Sequence, residues 1–111
     1  MALLNLNVTI QNQTSGHLTL KSAQQPLHVP TDIPPGTSPQ FGYSSWWGAI
    51  TNNVVYTTGD QNHEVELTWY VQAAGGNSYT ANVTPTDGAY SASADGEQGY
   101  HVSVTYTVSQ A

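Results

Sequence analysis

Apolar and polar residues alternate one by one along much of this chain, and that period of two limits how it can fold more than any other feature. The clearest run, over residues 64–71, puts Val, Leu, Trp and Val on one face and Glu, Glu, Thr and Tyr on the other. Such alternation is typical of a β-strand with one buried and one solvated face. No segment shows the 3.6-residue period of an amphipathic helix. The chain is therefore predicted to be all-β.

The same alternation predicts further strands, separated by turn residues. Thr14-Ser15-Gly16 divides the first two, which are predicted to pair as an N-terminal hairpin. Five of the six prolines lie between Pro26 and Pro39, which predicts an irregular loop. A second long loop is predicted from Pro85 to Gly99, with one short edge strand around Tyr90. The predicted strands cover residues 4–11, 18–21, 40–45, 53–58, 64–71, 79–83 and 100–108.

The number and spacing of these strands predict the architecture. Seven or so short strands with turns between them are typical of an antiparallel β-sandwich. A length of 111 residues suits one hydrophobic core, so residues 1–111 are predicted to form a single domain. The chain has no cysteine, and its core must therefore hold the fold without a disulfide. Trp69 is expected in that core.

Positive charge is almost absent. The chain has seven acidic residues and a formal net charge of −6, and Lys21 is its only lysine or arginine. Polyphosphate backbones and anionic lipid head groups are bound mainly through basic side chains. The composition therefore excludes nucleic acid as a partner and favours neutral or zwitterionic ligands.

The N-terminal segment lacks the features of a secretion signal. It has no basic n-region, and it alternates like a strand from Leu4 onwards. No run of 18 apolar residues could span a bilayer. The sequence thus predicts a soluble protein that is cytoplasmic or released by a non-classical route.

Catalytic and metal-binding patterns are missing. There is no nucleophile elbow, Cys/His pair or phosphate-binding loop. Glu64 and Glu66 share one strand face at about 7 Å, a spacing that would suit an inverting glycosidase, but a solvated face is the better interpretation. Asp60, His63 and Glu64 could ligate a metal, yet adjacent strand residues point to opposite faces. No enzyme, metal or cofactor is predicted.

The sharpest local feature is the pair Trp46-Trp47, which precedes a glycine. Two adjacent tryptophans in an extended segment cannot both enter one core, so at least one should be exposed. An exposed Trp suits a bilayer interface, a protein partner or a sugar ring, while the alternative is that both are structural. Phe41, Tyr43 and Tyr56 could extend the pair into an aromatic patch, or the tyrosines could lie on strand faces with their hydroxyls in water. Trp46, Trp47, Tyr43 and Tyr56 are therefore the candidate ligand- or membrane-binding residues.

Several segments together resemble the aegerolysin family, and most closely its small insecticidal crystal-protein members. They are the first turn and its flanking strand over 12–20, the proline loop 30–36, the strand into Phe41, the segment 48–56 ending in Val-Val-Tyr, and the closing strand over 99–108. The resemblance implies a compact β-sandwich that binds membrane lipids or a second protein. It also implies that the protein acts at target membranes and that pores form only with a larger partner.

These observations leave three hypotheses for the function. The first is a non-enzymatic, lipid-binding cytolysin or insecticidal toxin component that acts with a larger partner protein. The second is a small lectin that uses the same aromatics to bind a glycan. The third is a structural protein that forms a homo-oligomer through unprotected sheet edges.

Overall fold

The computed structural model describes residues 3–111, which form two packed β-sheets. Met1 and Ala2, which begin the segment predicted to lack a secretion signal, lie outside the described residues. The prediction of an all-β sandwich is confirmed. The strands are β1 (Leu4–Gln13), β2 (Leu18–Ala23), β3 (Asp32–Ile33), β4 (Gln40–Ser45), β5 (Ile50–Thr57), β6 (Glu64–Val71), β7 (Ser78–Thr84), β8 (Tyr90–Gly96) and β9 (His101–Gln110).

The two sheets differ in how their strands pair. The first has the order β4-β1-β9-β8, and the second has the order β3-β2-β5-β6-β7. Neighbouring strands are antiparallel except β1 and β9, which run parallel from Asn5 beside His101 to Gln13 beside Ser109. The first and last long strands of the chain therefore lie side by side, which is possible because they are far apart in sequence.

The predicted N-terminal hairpin is wrong, because β1 and β2 belong to different sheets. Asn12 makes the corner between them and is almost fully buried. Its amide nitrogen donates to the carbonyl oxygens of Gly16 and Ile33, both at 2.9 Å. Its amide oxygen accepts from the Thr14 backbone N–H at 3.0 Å and from the Thr14 hydroxyl at 2.7 Å. These bonds hold the backbone after β1 in a corner, through which the chain passes to the other sheet.

Two loops contain more structure than the sequence predicts. The proline-rich segment includes the two-residue strand β3, which pairs with Leu18 and Thr19 of β2. The segment after Pro85 contains β8, a full seven-residue strand that pairs with β9 from Tyr90 to Gly96. The inward residues of β8 include Ala92 and Ala94, whose small side chains hide the alternation in the sequence.

One hydrophobic core fills the space between the sheets, and Trp69 lies in it as predicted, 1% exposed. Tyr106 of β9 reaches across the core, and its hydroxyl donates to the Thr68 carbonyl oxygen on β6. Burial raises the pKa of Tyr106 above its ordinary value. The buried apolar residues are Leu4, Leu6, Val8, Ile10, Leu18, Val29, Ile33, Ile50, Val54, Tyr56, Val65, Leu67, Trp69, Val71, Val102, Val104, Tyr106 and Val108.

The strands define two ends of a molecule about 42 Å long. We call one the tryptophan end; there β1 and β9 begin, β4 and β6 finish, and Trp46 and Trp47 follow β4. We call the other the acidic end; it carries the β5–β6 turn (58–63) and the β7–β8 connection (85–89). Within residues 3–111 no helix is long and apolar enough to cross a membrane.

Candidate functional site

The tryptophan pair lies in a short loop between β4 and β5, with both side chains in solvent. Trp46 is 54% exposed and Trp47 is 95% exposed. The Ser45 hydroxyl closes the loop, because it donates to the Gly48 carbonyl oxygen at 2.7 Å and accepts from the Gly48 N–H at 3.1 Å. The prediction that at least one tryptophan is exposed is confirmed, and the loop presents both.

Other exposed apolar side chains lie at the same end. Leu3 and Trp46 each stand one residue beyond the paired residues Leu4 and Ser45. Tyr100 lies next to the start of β1, since its carbonyl oxygen accepts from the Asn5 N–H at 2.8 Å. Their exposed fractions are 40% for Leu3 and 49% for Tyr100. We call Leu3, Trp46, Trp47 and Tyr100, together with the exposed Leu27, the apolar rim.

Tyr43 lies between the apolar rim and the core and is only partly exposed. Its hydroxyl donates to the Leu27 carbonyl oxygen at 2.6 Å, which fixes the loop that carries Leu27. Its ring centroid lies 6.0 Å from that of Phe41 and 5.9 Å from that of Trp69. Burial raises the pKa of Tyr43. Tyr43 therefore joins the rim to the core.

Tyr56 does not reach any surface, which corrects its selection as a binding residue. It is fully buried, and its hydroxyl donates to the Pro30 carbonyl oxygen at 2.7 Å. Burial also raises the pKa of its hydroxyl. Residues 50, 52, 54 and 56 of β5 alternate inward, so the alternation itself places Tyr56 in the core.

A shallow, uncharged cleft of about 630 Å³ runs beside β4 at the tryptophan end. Its polar side is formed by the Asn5, Asn7 and Ser44 side chains. Gly42 also lines the cleft, and a Cβ added to it would lie 3.2 Å from the Leu6 carbonyl oxygen. The opposite wall consists of Leu27 and His28. The cleft thus combines amide and hydroxyl groups with an apolar wall.

Charge is distributed unequally between the two ends. Four of the seven carboxylates, those of Asp32, Asp60, Glu64 and Asp87, lie at the acidic end. The only lysine, Lys21, pairs with Glu64 and so neutralises part of that end. Among the described residues, Glu97 is the one carboxylate near the tryptophan end, where its backbone N–H donates to Ser103 of β9.

The glutamates on β6 show no arrangement suited to catalysis. Glu64 forms the ion pair with Lys21, and Glu66 accepts a hydrogen bond from the Asn53 amide at 3.1 Å. Both lie on the outer face of the second sheet, where solvent reaches them.

His63 is buried at the acidic end between two carboxylates. Its Nδ1 lies 2.8 Å from Asp60 Oδ2, and its Nε2 lies 2.8 Å from Asp87 Oδ2. The sequence places His63 close to Asp60 and Glu64 but does not reveal Asp87, which is 24 residues away on another connection. Within residues 3–111 no group of His, Asp and Glu side chains is arranged to hold a metal ion.

Comparison with known proteins extends the description of the fold. No protein-family model matches the sequence, and no curated protein matches it. The structure is similar to the crystal structure of the lipid-binding protein Nakanori, with a TM-score of 0.75 and 17% sequence identity. The likeness covers 96% of this chain and 71% of that one. At this level of identity it establishes a shared fold, and the β-sandwich described above is therefore an architecture that another protein also adopts.

Proposed function

We propose that this protein is a non-enzymatic module that binds a membrane surface of neutral or zwitterionic lipid through the apolar rim. The observation that carries the proposal is the position of Trp46 and Trp47. They are adjacent, exposed and held out from one end of the molecule by the Ser45–Gly48 bonds.

The rim has the chemistry of an interfacial anchor. Trp and Tyr prefer the membrane–water boundary, because their rings are apolar while the indole N–H and phenol O–H keep polar contacts. Fully burying an aromatic side chain removes about 150–250 Å² from water, worth about 4–6 kcal/mol at 25 cal/mol per Å². Trp47 is almost fully exposed in the unbound protein and therefore gains most from burial.

The charge distribution supports the same orientation and the choice of lipid. No lysine or arginine is available at the tryptophan end to attract anionic head groups. When the apolar rim faces a membrane, the four carboxylates of the acidic end point away along an axis of about 42 Å. That distance is several times the Debye length of about 8 Å at physiological ionic strength. Those carboxylates therefore oppose binding very little.

Two likenesses support the lipid hypothesis and suggest a wider role. The solved structure with a shared fold is described as a lipid-binding protein, and the sequence resembles the aegerolysin family. By this analogy the protein would act as a cytolytic or insecticidal component that recognises the membrane and recruits a larger partner for pore formation. Such a role requires no enzymatic activity or cofactor.

The test is a vesicle-binding measurement with matched variants. Trp46→Ala/Trp47→Ala is expected to weaken sedimentation with neutral phosphatidylcholine–sphingomyelin–sterol vesicles at least tenfold, a loss of about 1.4 kcal/mol or more. His17→Ala, an exposed change at the acidic end, should leave binding unchanged. Equal binding by the double variant and the wild type would contradict the proposal.

A glycan is the second candidate ligand, and the uncharged cleft beside β4 favours it. The Asn5, Asn7 and Ser44 side chains could bond sugar hydroxyls while Leu27 and His28 cover an apolar ring face. Gly42→Val adds a side chain to the cleft lining and should weaken sugar binding. The tryptophan fluorescence of this variant in vesicles should match that of the wild type. A glycan array separates the two functions, because vesicle binding without sugar binding excludes the lectin.

A further inference from the structure

The acidic end contains a three-residue arrangement that the proposed function does not use. Asp60, His63 and Asp87 join the β5–β6 turn of the second sheet to the connection through which the chain crosses to the first sheet. We call these residues the His63 clamp. We propose that the clamp holds the β7–β8 connection only while the His63 ring is protonated, and that deprotonation releases this connection.

The geometry requires a proton on each ring nitrogen. Carboxylates only accept hydrogen bonds, and a neutral imidazole has a single N–H. His63 faces Asp60 at 2.8 Å from Nδ1, and both oxygens of Asp87 lie within 2.9 Å of Nε2. Only the imidazolium can donate in both directions. A neutral ring would turn one lone pair towards a carboxylate, and that contact would become repulsive.

The two sides of the clamp differ in how firmly they are held. Asp60 belongs to a rigid turn, since its Oδ1 accepts from the Thr58 hydroxyl at 2.6 Å and from the Asn62 N–H at 2.9 Å. Within residues 3–111, Asp87 is held only by His63 and by the Ala89 N–H of its own connection, at 3.0 Å. The contact between His63 and Asp87 is therefore the one that breaks first.

The charged and titratable groups around the ring are few. Asp60 faces it from the turn, Asp87 from the connection and Tyr90 from β8, with a ring centroid 4.9 Å away. Glu64 follows His63 in sequence but pairs with Lys21 instead. The Tyr90 ring favours the imidazolium as well, because an aromatic face attracts a cation.

The direction of the pH effect follows from these contacts. The hydrogen bond to Asp87, and then the bond and charge of Asp60, raise the pKa of His63 above 6.5 despite its burial. A group whose pKa is raised by folding stabilises the folded state fully at pH values below its unfolded-state pKa. This stabilisation is lost as the pH rises through its folded-state pKa. The clamp is therefore closed below pH 6.5 and opens as the pH rises through the raised pKa of His63.

The test follows one residue and one segment in the same sample. ¹⁵N NMR of labelled histidine, which distinguishes imidazolium from neutral rings, is expected to show His63 titrating above 6.5. Hydrogen exchange at residues 87–90, corrected for intrinsic rates, should report an opening constant that rises by up to about tenfold per pH unit between 6.5 and that midpoint. Independent behaviour of the ring and the segment would overturn the proposal.

Variants separate the clamp from a general loss of structure. Asp87→Asn can donate its amide to a neutral Nε2, so residues 87–90 should stay protected at alkaline pH. In His63→Gln the side-chain amide does not titrate, so the pH dependence of opening at residues 87–90 should disappear. His17→Gln is the control, because His17 forms an exposed pair with Asp32 at the same end. If Asp87→Asn opens with the wild-type midpoint, the connection responds to another group and the proposal fails.

Discussion

Gly16 and Gly59 meet backbone to backbone at the acidic end, where the corner after β1 touches the β5–β6 turn. A Cβ placed on Gly16 would lie 2.9 Å from the Gly59 Cα, and the reverse substitution gives the same distance. Backbone atoms cannot move aside as a flexible side chain can. The contact therefore admits only glycine at both positions.

Gly59→Ala is expected to lower the free energy of unfolding by about 1–3 kcal/mol, the usual cost of inserting a carbon into a packed site. Urea denaturation measures the change. Gly48→Ala is the matched control, since its new Cβ would have its nearest neighbour, Ser45 Oγ, at 4.0 Å. Equal losses in the two variants would show that the Gly16–Gly59 contact is not the cause.

Strand positions can be predicted from this sequence much better than strand pairing. The predicted bounds of β4 and β6 match the structure, because alternation and flanking turn residues are both local signals. Alternation tells which side of a strand is buried but not which strand lies beside it. The corner at Asn12 depends on a bond to Ile33, 21 residues away. No local pattern reveals that bond, so the hairpin prediction fails.

Asn12→Asp tests how the corner is stabilised. A carboxyl at this position would face the carbonyl oxygens of Gly16 and Ile33, which favour its protonated form. Its folded pKa should therefore exceed the ordinary value of about 3.9, and stability should be lost as the pH rises through it. Urea unfolding is expected to show a larger loss relative to wild type at pH 7 than at pH 4. A loss independent of pH would contradict this explanation.

The candidate site shows the same division between local and distant information. Adjacent tryptophans must diverge in an extended chain, so the sequence alone predicts their exposure. The sequence also indicates that Tyr56 points inward, since Tyr56 is two residues from the buried Val54 and therefore lies on the same face of β5. In contrast, the roles of Leu27 beside Tyr43 and of Asp87 beside His63 depend on which loops the topology brings together.

Ser45→Ala should loosen the tryptophan loop without unfolding the protein. The variant loses both bonds to Gly48, and the loop must then lose more conformational freedom when it binds. We expect vesicle affinity to fall about threefold to tenfold, which corresponds to about 0.7–1.4 kcal/mol. Backbone ¹⁵N relaxation should show lower order parameters for residues 46–48. Unchanged order parameters with weaker binding would point to a direct lipid contact by Ser45.

Lipid charge provides a test that needs no substitution. Because no lysine or arginine lies at the tryptophan end, adding phosphatidylserine to neutral vesicles should not strengthen binding at pH 7.4. Binding to neutral vesicles should change less than about twofold between 50 and 500 mM salt, since aromatic burial is not screened. Vesicle sedimentation over this range measures both effects. A steep loss of affinity with salt would mean that an electrostatic contact dominates.

The loss of folding stability at acidic pH should depend on Asp60. Hydrogen bonds donated by the Thr58 hydroxyl and the Asn62 N–H, followed by the one donated by His63, lower the pKa of Asp60 to about 2. Because folding lowers this pKa, Asp60 stabilises the folded state at pH values above its unfolded-state pKa of 3.8, and this stabilisation is lost as the pH falls towards 2. Asp60→Asn should therefore be less stable than wild type at pH 5 and should approach it near pH 2. Urea midpoints at pH 2, 3, 4 and 5 measure this convergence, and Asp95→Asn, a change on β8 away from the clamp, is the control. A constant difference between wild type and Asp60→Asn across that range would show that the charge of Asp60 contributes nothing to folding.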